Sequence, residues 1–467
     1  MFRISNHYVS KIVFVLLFVE ILILLGAAYA GAAMRFLDIG APLTNDQFDH
    51  FLASAVAFAV AVSFSMSAMG MYQLDFDEGL RHPFFMKLMP AFLMGFLILT
   101  LVFYVAPDLY FGRGILLLGF GLAAAGIFIA RIIFFKTSEL RLMQSRILFL
   151  GNGALAKECS DLAVNKNSYH RYKVVGFIPV GSDEMCVPAA DVLKVSEGDS
   201  LVKMATQYGA QEIVVSVQNR RGSFPIKELL DCKLQGVKVT DAATFFERET
   251  CQIRVDSLQP SWLVFGGGFD QSFIRTFMKR GFDLICSTLI MAVTFPIMLF
   301  AALAVWLEDR SPVFYSQERV GKDGKIFRVH KFRSMRADAE KGGTPQWAAQ
   351  NDPRVTRVGN FMRKTRIDEL PQILNVFKGD MSFVGPRPER AYFVEQLIEV
   401  VPYYNVRHSI KPGITGWAQV RYGYGSSAED ALQKLQYDLY YVKNNSLFLD
   451  VLILINTLKV VLFRSGR

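Results

Sequence analysis

Four apolar runs, near residues 12–33, 51–71, 84–106 and 114–135, constrain this chain more than any other feature. Each is long enough to cross a bilayer, which takes about 20 residues as a helix. The first is too long for a signal peptide and lacks a convincing small-residue cleavage pattern. The flanking charges orient the set. Arg3, Lys11, Arg81, Lys87, Arg131, Lys136, Arg141 and Arg146 fall on one side. Asp38, Asp46, Asp49 and Asp108 fall on the other, with only Arg35 and Arg113. The excess of cations places both ends of this unit, residues 1–140, in the cytoplasm. Glu20, a carboxylate inside the first run, is expected to face another helix and is given no catalytic role.

A length of 467 residues exceeds one ordinary domain and suggests two or three. The formal charge of +9 asks for an anionic partner. Lipid headgroups and phosphate substrates suit it best, and the apolar N-terminal region sets nucleic acid aside. The five cysteines (Cys159, Cys186, Cys232, Cys251, Cys286) are scattered, with no Cys-x-x-Cys pair. That argues against a zinc site or a disulfide framework and fits a reducing cytoplasm. The six histidines are isolated as well, so any metal is expected to be a hard cation on oxygen ligands, such as Mg²⁺.

From Arg146 the texture changes to soluble α/β. Apolar runs at 147–150, 174–178, 213–217 and 237–239 alternate with amphipathic stretches, which predicts a Rossmann-like parallel sheet over residues 146–260. Gly151-Asn152-Gly153-Ala154-Leu155-Ala156 follows the first strand and can seat a diphosphate on a helix N-terminus. A tight strand-to-helix turn needs small residues even with nothing bound. The acid expected after the second strand is also missing, since Pro179 and Val180 stand there. A structural or regulatory domain without a bound dinucleotide is the expectation. Residues 260–272 read as a linker.

A fifth apolar stretch, 283–306, is interrupted by Phe295-Pro296. Its length suits a span. Its flanks do not, because Lys279 and Arg280 precede it while Arg310, Arg319 and Lys322 follow. A proline removes a backbone donor and bends a helix, so a helix-break-helix that enters and leaves on one face is the other reading.

Ordered motifs fill the rest. Lys279-Arg280-x-Phe282-Asp283 is followed by Pro312-Val313-Phe314-Tyr315-x-Gln317-x-Arg319-x-Gly321 and Lys331-Phe332-Arg333-Ser334-Met335. Then come Asp368-Glu369-Leu370-Pro371-Gln372, Gly379-Asp380-Met381-Ser382-x-Val384-Gly385-Pro386-Arg387-Pro388, Lys411-Pro412-Gly413-Ile414-Thr415-Gly416 and Tyr437-Asp438. In this order they resemble the monotopic phosphoglycosyl transferases, specifically the large bacterial polyprenyl-phosphate hexose-1-phosphate transferases that start exopolysaccharide assembly. The resemblance covers about residues 275–467. It implies a mainly helical catalytic domain on the cytoplasmic face of the inner membrane, with 283–306 as a re-entrant helix. It also implies a UDP-hexose donor and an undecaprenyl phosphate acceptor. Phe295 departs from relatives with serine before the proline, and Trp417 from the many with leucine.

The residues read the same way on chemical grounds. Asp368-Glu369-Leu370-Pro371 looks like a helix start with Asp368 as N-cap, a position that holds a carboxylate ionised and ready to act as a nucleophile. Capping alone is the plainer account of such a pair. Glu369 is the candidate Mg²⁺ ligand, with Lys331, Arg333 and Arg363 neutralising the approach of two anions. Arg387, between two stiffening prolines, suits a bidentate grip on phosphate. Asp438 resembles a family active-site acid for metal or acceptor binding, and a capping or salt-bridge role stands beside that. Arg354, Arg357 and Arg366 are basic residues that could meet phosphates or simply anionic lipid. The family implies that Asp368 attacks the sugar-bearing phosphorus, releases UMP and then passes the phosphosugar to the lipid. The last helix, 447–463, suits an interface or a core.

Two other readings compete. A nicotinamide-dependent nucleotide-sugar enzyme would use the glycine loop with a Tyr-x-x-x-Lys pair, but Tyr169 and Lys173 come too early in the fold. A non-catalytic scaffold for polysaccharide assembly would tolerate loss of Asp368. A homodimer suits a large multi-span enzyme. The donor sugar is not legible, because hexoses and N-acetylamino sugars share one diphosphate handle.

Overall fold

The apolar runs become long helices because every backbone polar group in such a segment finds its partner within the segment. The computed structural model describes residues 2–4, 7–9, 11–39, 45–72, 82–139, 144–164, 172–180, 183–195, 199–217, 224–255, 267–269, 271–310, 312–336, 352–423, 425 and 427–463. Helices α1 (Lys11–Ile39), α2 (Asn45–Ala68), α3 (His82–Val105) and α4 (Arg113–Glu139) cover the four runs. With Phe273–Asp309 they make five helices, among the described residues, that are long and apolar enough to cross a membrane. Small residues let α1, α2 and α4 approach closely: Ala28, Ala32, Ala55 and Ala123 are fully buried beside Phe58 and Leu99. Glu20 does face another helix. Arg131 of α4 grips it at 2.5 Å and 3.1 Å, and Tyr72 donates to its second oxygen at 2.6 Å, so the charge is paired within the unit.

Four parallel strands follow: β1 (Ser145–Leu150), β2 (Tyr172–Ile178), β3 (Glu212–Val215) and β4 (Lys238–Asp241), in the spatial order β2-β1-β3-β4. This is the expected Rossmann-like sheet. Gly151 takes φ +118°, and a Cβ there would meet the Ser216 carbonyl at 2.9 Å, so only glycine makes this turn. A Cβ on Gly153 would stand 2.9 Å from the Asp183 side chain, and Cys186 N–H donates to Asn152 O at 2.9 Å. The chain itself therefore occupies the space beside the glycine loop. Tyr169 and most of the expected linker, including Pro260 and Gly266, lie outside the described residues.

The chain divides into two compact units, Met1–Phe2 with Val9–Thr250, and Arg3–Tyr8 with Cys251–Arg467. The second carries the motifs. Its core joins Val384, Trp417, Leu439, Tyr440 and Leu449. His7, 433 positions before its partner, is buried in it: its Nδ1 is 2.8 Å from Tyr440 Oη, and Trp417 meets its ring edge-on.

The helix Phe273–Asp309 runs through Pro296 without a break. The helix is continuous there, so the proline can act on it only as a bend and not as an unwound break. Proline deprives one carbonyl of its donor, and the surrounding bonds carry the helix on. Thr294 Oγ1 bonds back to Ile290 O at 2.7 Å in the turn before it.

Candidate active site

The site is assembled where an antiparallel hairpin, Phe314–Val320 with Ile326–Phe332, meets a short 3₁₀ turn, Ile367–Gln372. Alternation along the second strand sorts its residues. Phe332 points into a small core with Val305 and Met362, so Lys331 and Arg333 share the opposite face. Asn375 clamps strand to turn, accepting from His330 N–H at 3.0 Å and donating to Arg328 O at 2.7 Å.

The expectation of Asp368 as an N-cap is corrected here. The helix Arg357–Thr365 ends on Arg366 in the left-handed conformation (φ +61°), and the 3₁₀ turn restarts at once. Asp368 and Glu369 thus lie inside the first turn, 7% and 8% exposed. They differ sharply in company. Glu369 Oε1 accepts from Lys331 Nζ at 3.0 Å and from Arg387 Nη2 at 2.9 Å, while Oε2 accepts from Arg366 at 3.3 Å. Among the described residues no hydrogen bond or ion pair reaches Asp368.

The charge states follow from this. Burial pushes Glu369 up, but Lys331, Arg387 and Arg366 together hold it well below the usual carboxylate range. Asp368 goes the other way: burial first, then the Glu369 charge, raise it to about 6, against the pull of Lys331, Arg363 and Arg387. The expected lowering by a helix end is overturned, because Asp368 is buried, lies against an anion and caps no helix. Burial lowers Lys331, with the Glu369 charge opposing.

The other expected residues are placed as follows. Arg363 lies on the preceding helix and acts on Asp368 through its charge. Arg333 keeps its Nη1 buried without a hydrogen-bond partner. Arg387 extends from Pro386-Arg387-Pro388, and the backbone behind that loop is tight. A Cβ on Gly385 would stand 2.5 Å from Lys411 O, and one on Gly413 would collide with Gly385 N. Glycine at both positions lets strands Ser382–Val384 and Gly413–Thr415 pair in parallel. Asp283 of the long helix accepts from Ser382 Oγ at 3.0 Å and Phe383 N–H at 3.1 Å, and Lys279 bridges Asp283 and Asp450 at 3.1 Å and 2.9 Å. Asp438, 1% exposed, pairs with Arg407 at 2.7 Å. Arg354 is spent on Asp352, whereas Arg366 belongs to the Glu369 cluster. Arg407 and Asn375 were not legible in the sequence, since neither lies in a motif whose spacing signals a role.

Among the described residues, no cluster of three or more His, Cys, Asp or Glu could hold a metal ion by itself. Asp368 and Glu369 do supply two adjacent hard oxygen donors, one of them without a protein partner. That suits Mg²⁺, which takes one or two carboxylates and completes its shell with water and substrate phosphates.

Known proteins resemble the chain over the region that holds this site. Residues 274–464 match the family model described as bacterial sugar transferase. A UDP-N-acetylgalactosamine-undecaprenyl-phosphate N-acetylgalactosaminephosphotransferase of Aeromonas hydrophila is 44% identical over 238 residues, 51% of this chain and 55% of that protein. A UDP-glucose:undecaprenyl-phosphate glucose-1-phosphate transferase of Escherichia coli is 43% identical over 190 residues, 40% of each chain. An undecaprenyl-phosphate galactose phosphotransferase of Salmonella typhimurium is 31% identical over 366 residues, 70% of each chain. In the first two matches the chain spans about half the length of the relative or less.

Proposed function

The chain belongs to the bacterial sugar transferase family, and from that premise we propose that it moves a sugar 1-phosphate from a UDP-sugar to undecaprenyl phosphate and releases UMP. The observation that carries the reading is the division of labour between adjacent carboxylates. Glu369 is paired with three cations, and among the described residues no cation forms an ion pair with Asp368. An unclaimed carboxylate of raised basicity is the better nucleophile, and a caged one is a fixed counter-charge that orients cations.

In the first step an Asp368 oxygen attacks the sugar-bearing phosphorus. A P–O bond to Asp368 forms, the bridging bond to the UMP phosphate breaks, and UMP leaves with the electron pair. In the second step an oxygen of undecaprenyl phosphate attacks the same phosphorus and the Asp368–phosphorus bond breaks. The products are a polyprenyl-diphosphate sugar and free Asp368. Lys331, Arg366 and Arg387 lie around the carboxylates and would steady the phosphate charge in both steps. Arg333, with its buried unpartnered Nη1, is a further donor for that charge. Mg²⁺ held by Glu369 and Asp368 would offset the repulsion between carboxylate and diphosphate.

A membrane-bound acceptor requires the site to lie at a lipid surface. We place the four N-terminal helices across the bacterial inner membrane, with the catalytic domain on the cytoplasmic side and the long helix re-entering that face. Support for the last point comes from the two ends of the helix. Arg280 donates to Val376 O and Phe377 O at 2.5 Å and 2.8 Å, and Glu308 accepts from Arg357 N–H at 2.9 Å. Both ends thus grip one soluble domain, which a straight crossing would separate by the roughly 30 Å of hydrocarbon.

The test is nucleotide release from purified protein given Mg²⁺, a panel of UDP-sugars and undecaprenyl phosphate, with Asp368→Asn alongside. UMP from the wild type and none from the variant is the expected result and identifies the sugar. UDP in place of UMP would sink the aspartyl route, and no nucleotide from any donor would sink the enzyme reading.

A further inference from the structure

Behind the Arg387 loop lies an ion pair that touches neither Asp368 nor Glu369. Arg407, in the 3₁₀ turn Tyr404–Ser409, is 5% exposed, and Asp438, in mid-helix Ala428–Asn444, is 1% exposed. They meet at 2.7 Å. The Arg407 guanidinium also donates from Nη1 to Tyr404 Oη at 2.6 Å and from Nη2 to the backbone carbonyl of Arg387 at 2.9 Å.

The loop's own chemistry shows why that carbonyl matters. Prolines at 386 and 388 fix φ on either side and offer no N–H, so three carbonyls but only one N–H, that of Arg387, are left to tie the loop down. All three are held. Gly413 N–H donates to Pro386 O at 2.9 Å, Arg407 to Arg387 O, and Arg319 to Pro388 O at 3.2 Å. The middle tether fixes the residue whose side chain reaches Glu369. Burying two charges costs desolvation, and an apolar pair of equal volume is often at least as stable. A buried pair aimed at one carbonyl therefore suggests orientation more than stability.

We propose that Arg407 and Asp438 are positioning residues for Arg387: Asp438 fixes Arg407, Arg407 fixes the Arg387 backbone, and Asp438 itself touches neither donor nor acceptor. This rests on the transferase reading above. It replaces direct substrate binding by Asp438 with action at one remove.

A double-mutant cycle on the full-length protein in lipid nanodiscs, read as UMP release with undecaprenyl phosphate, tests it. Asp438→Asn is expected to lower kcat/KM for the UDP-sugar about 10- to 100-fold, the scale of a misplaced catalytic group. The donor KM should rise as well, because a mere loss of folded enzyme lowers kcat alone. In an Arg387→Lys background the same change should cost no more than about threefold, since the group being positioned is already altered. Full multiplication of the two effects would overturn the role, and so would an Asp438→Asn enzyme within about twofold of wild type. Should Asp438→Asn fail to fold, Arg407→Lys keeps the charge pair and loses the second donor. A folded Arg407→Lys enzyme of undiminished kcat/KM overturns the role equally. A wild type that releases no UMP sinks the transferase reading and this role with it, whereas an active wild type with an independent Asp438 sinks this role alone.

Discussion

Lys331 Nζ stands 3.0 Å from Glu369 Oε1, across a sequence gap of 38 residues. The strand that delivers the lysine and the turn that delivers the carboxylate are locked by Asn375, so the pair is built into the scaffold. Its neighbour Asp368 is left as the carboxylate with no claimant, and the predictions below turn on that contrast.

Asp368→Asn should abolish UMP release and stabilise the protein. A buried, unpartnered carboxylate raised to about 6 binds its proton more tightly when folded than when unfolded. Its folded form is therefore penalised at neutral pH, by roughly 1–3 kcal/mol. The advantage of asparagine should be full above about pH 6 and vanish below about pH 4, where both states carry the proton. Thermal unfolding of the two proteins across that range checks the sign.

Activity should carry the same titration. The nucleophile must be ionised, so kcat/KM for the donor is expected to rise with pH through a limb near 6 and then level off. A profile flat from pH 5 to 8 (about the accessible range) would contradict the assignment of Asp368 as the free-enzyme base.

Glu369→Gln should be harmful in a different way. It strands Lys331 and Arg387 beside a neutral amide, which for partly buried cations costs about 1–3 kcal/mol. Both a lower melting temperature and a loss of UMP release are expected. Wild-type stability with lost activity would mean that the cage contributes nothing to the fold.

The Rossmann-like domain should ignore nicotinamide dinucleotides. The Asp183 side chain and the Cys186–Asn152 bond fill the space beside its glycine loop. Addition of NAD at millimolar level (about 1 mM) is expected to leave the melting temperature unchanged, since only a ligand that binds the folded state raises it. Gly153→Ala should destabilise the domain by about 1–3 kcal/mol through overpacking against Asp183.

Much of the architecture was legible because its signals are local. Buried parallel strands appear in a sequence as unbroken apolar runs, and all four were found within a residue or two of Ser145–Leu150, Tyr172–Ile178, Glu212–Val215 and Lys238–Asp241. The long helices wrote themselves as hydropathy. The three-residue strands Ser382–Val384 and Gly413–Thr415 did not, since their pairing depends on two glycine backbones meeting across the fold. Proline at 296 promised a break that the helix does not show. Asp368 was visible as a motif, but the direction of its pKa shift was misjudged. A helix start is written in neighbouring residues, whereas burial beside Glu369 is set by the strand and loop packed over both. Arg407 had no local signal at all, because its meaning comes from a carbonyl 20 residues away and a carboxylate in another helix.

His7 is made early and its partner Tyr440 comes 433 residues later. At roughly 5–20 residues per second the ribosome needs about 20–90 s to bridge that interval. Throughout it the first membrane helix already exists, while the aromatic seat for His7 does not. Closing the catalytic domain therefore waits on two segments 433 positions apart, and a substitution at His7 acts on the same core as one at Tyr440.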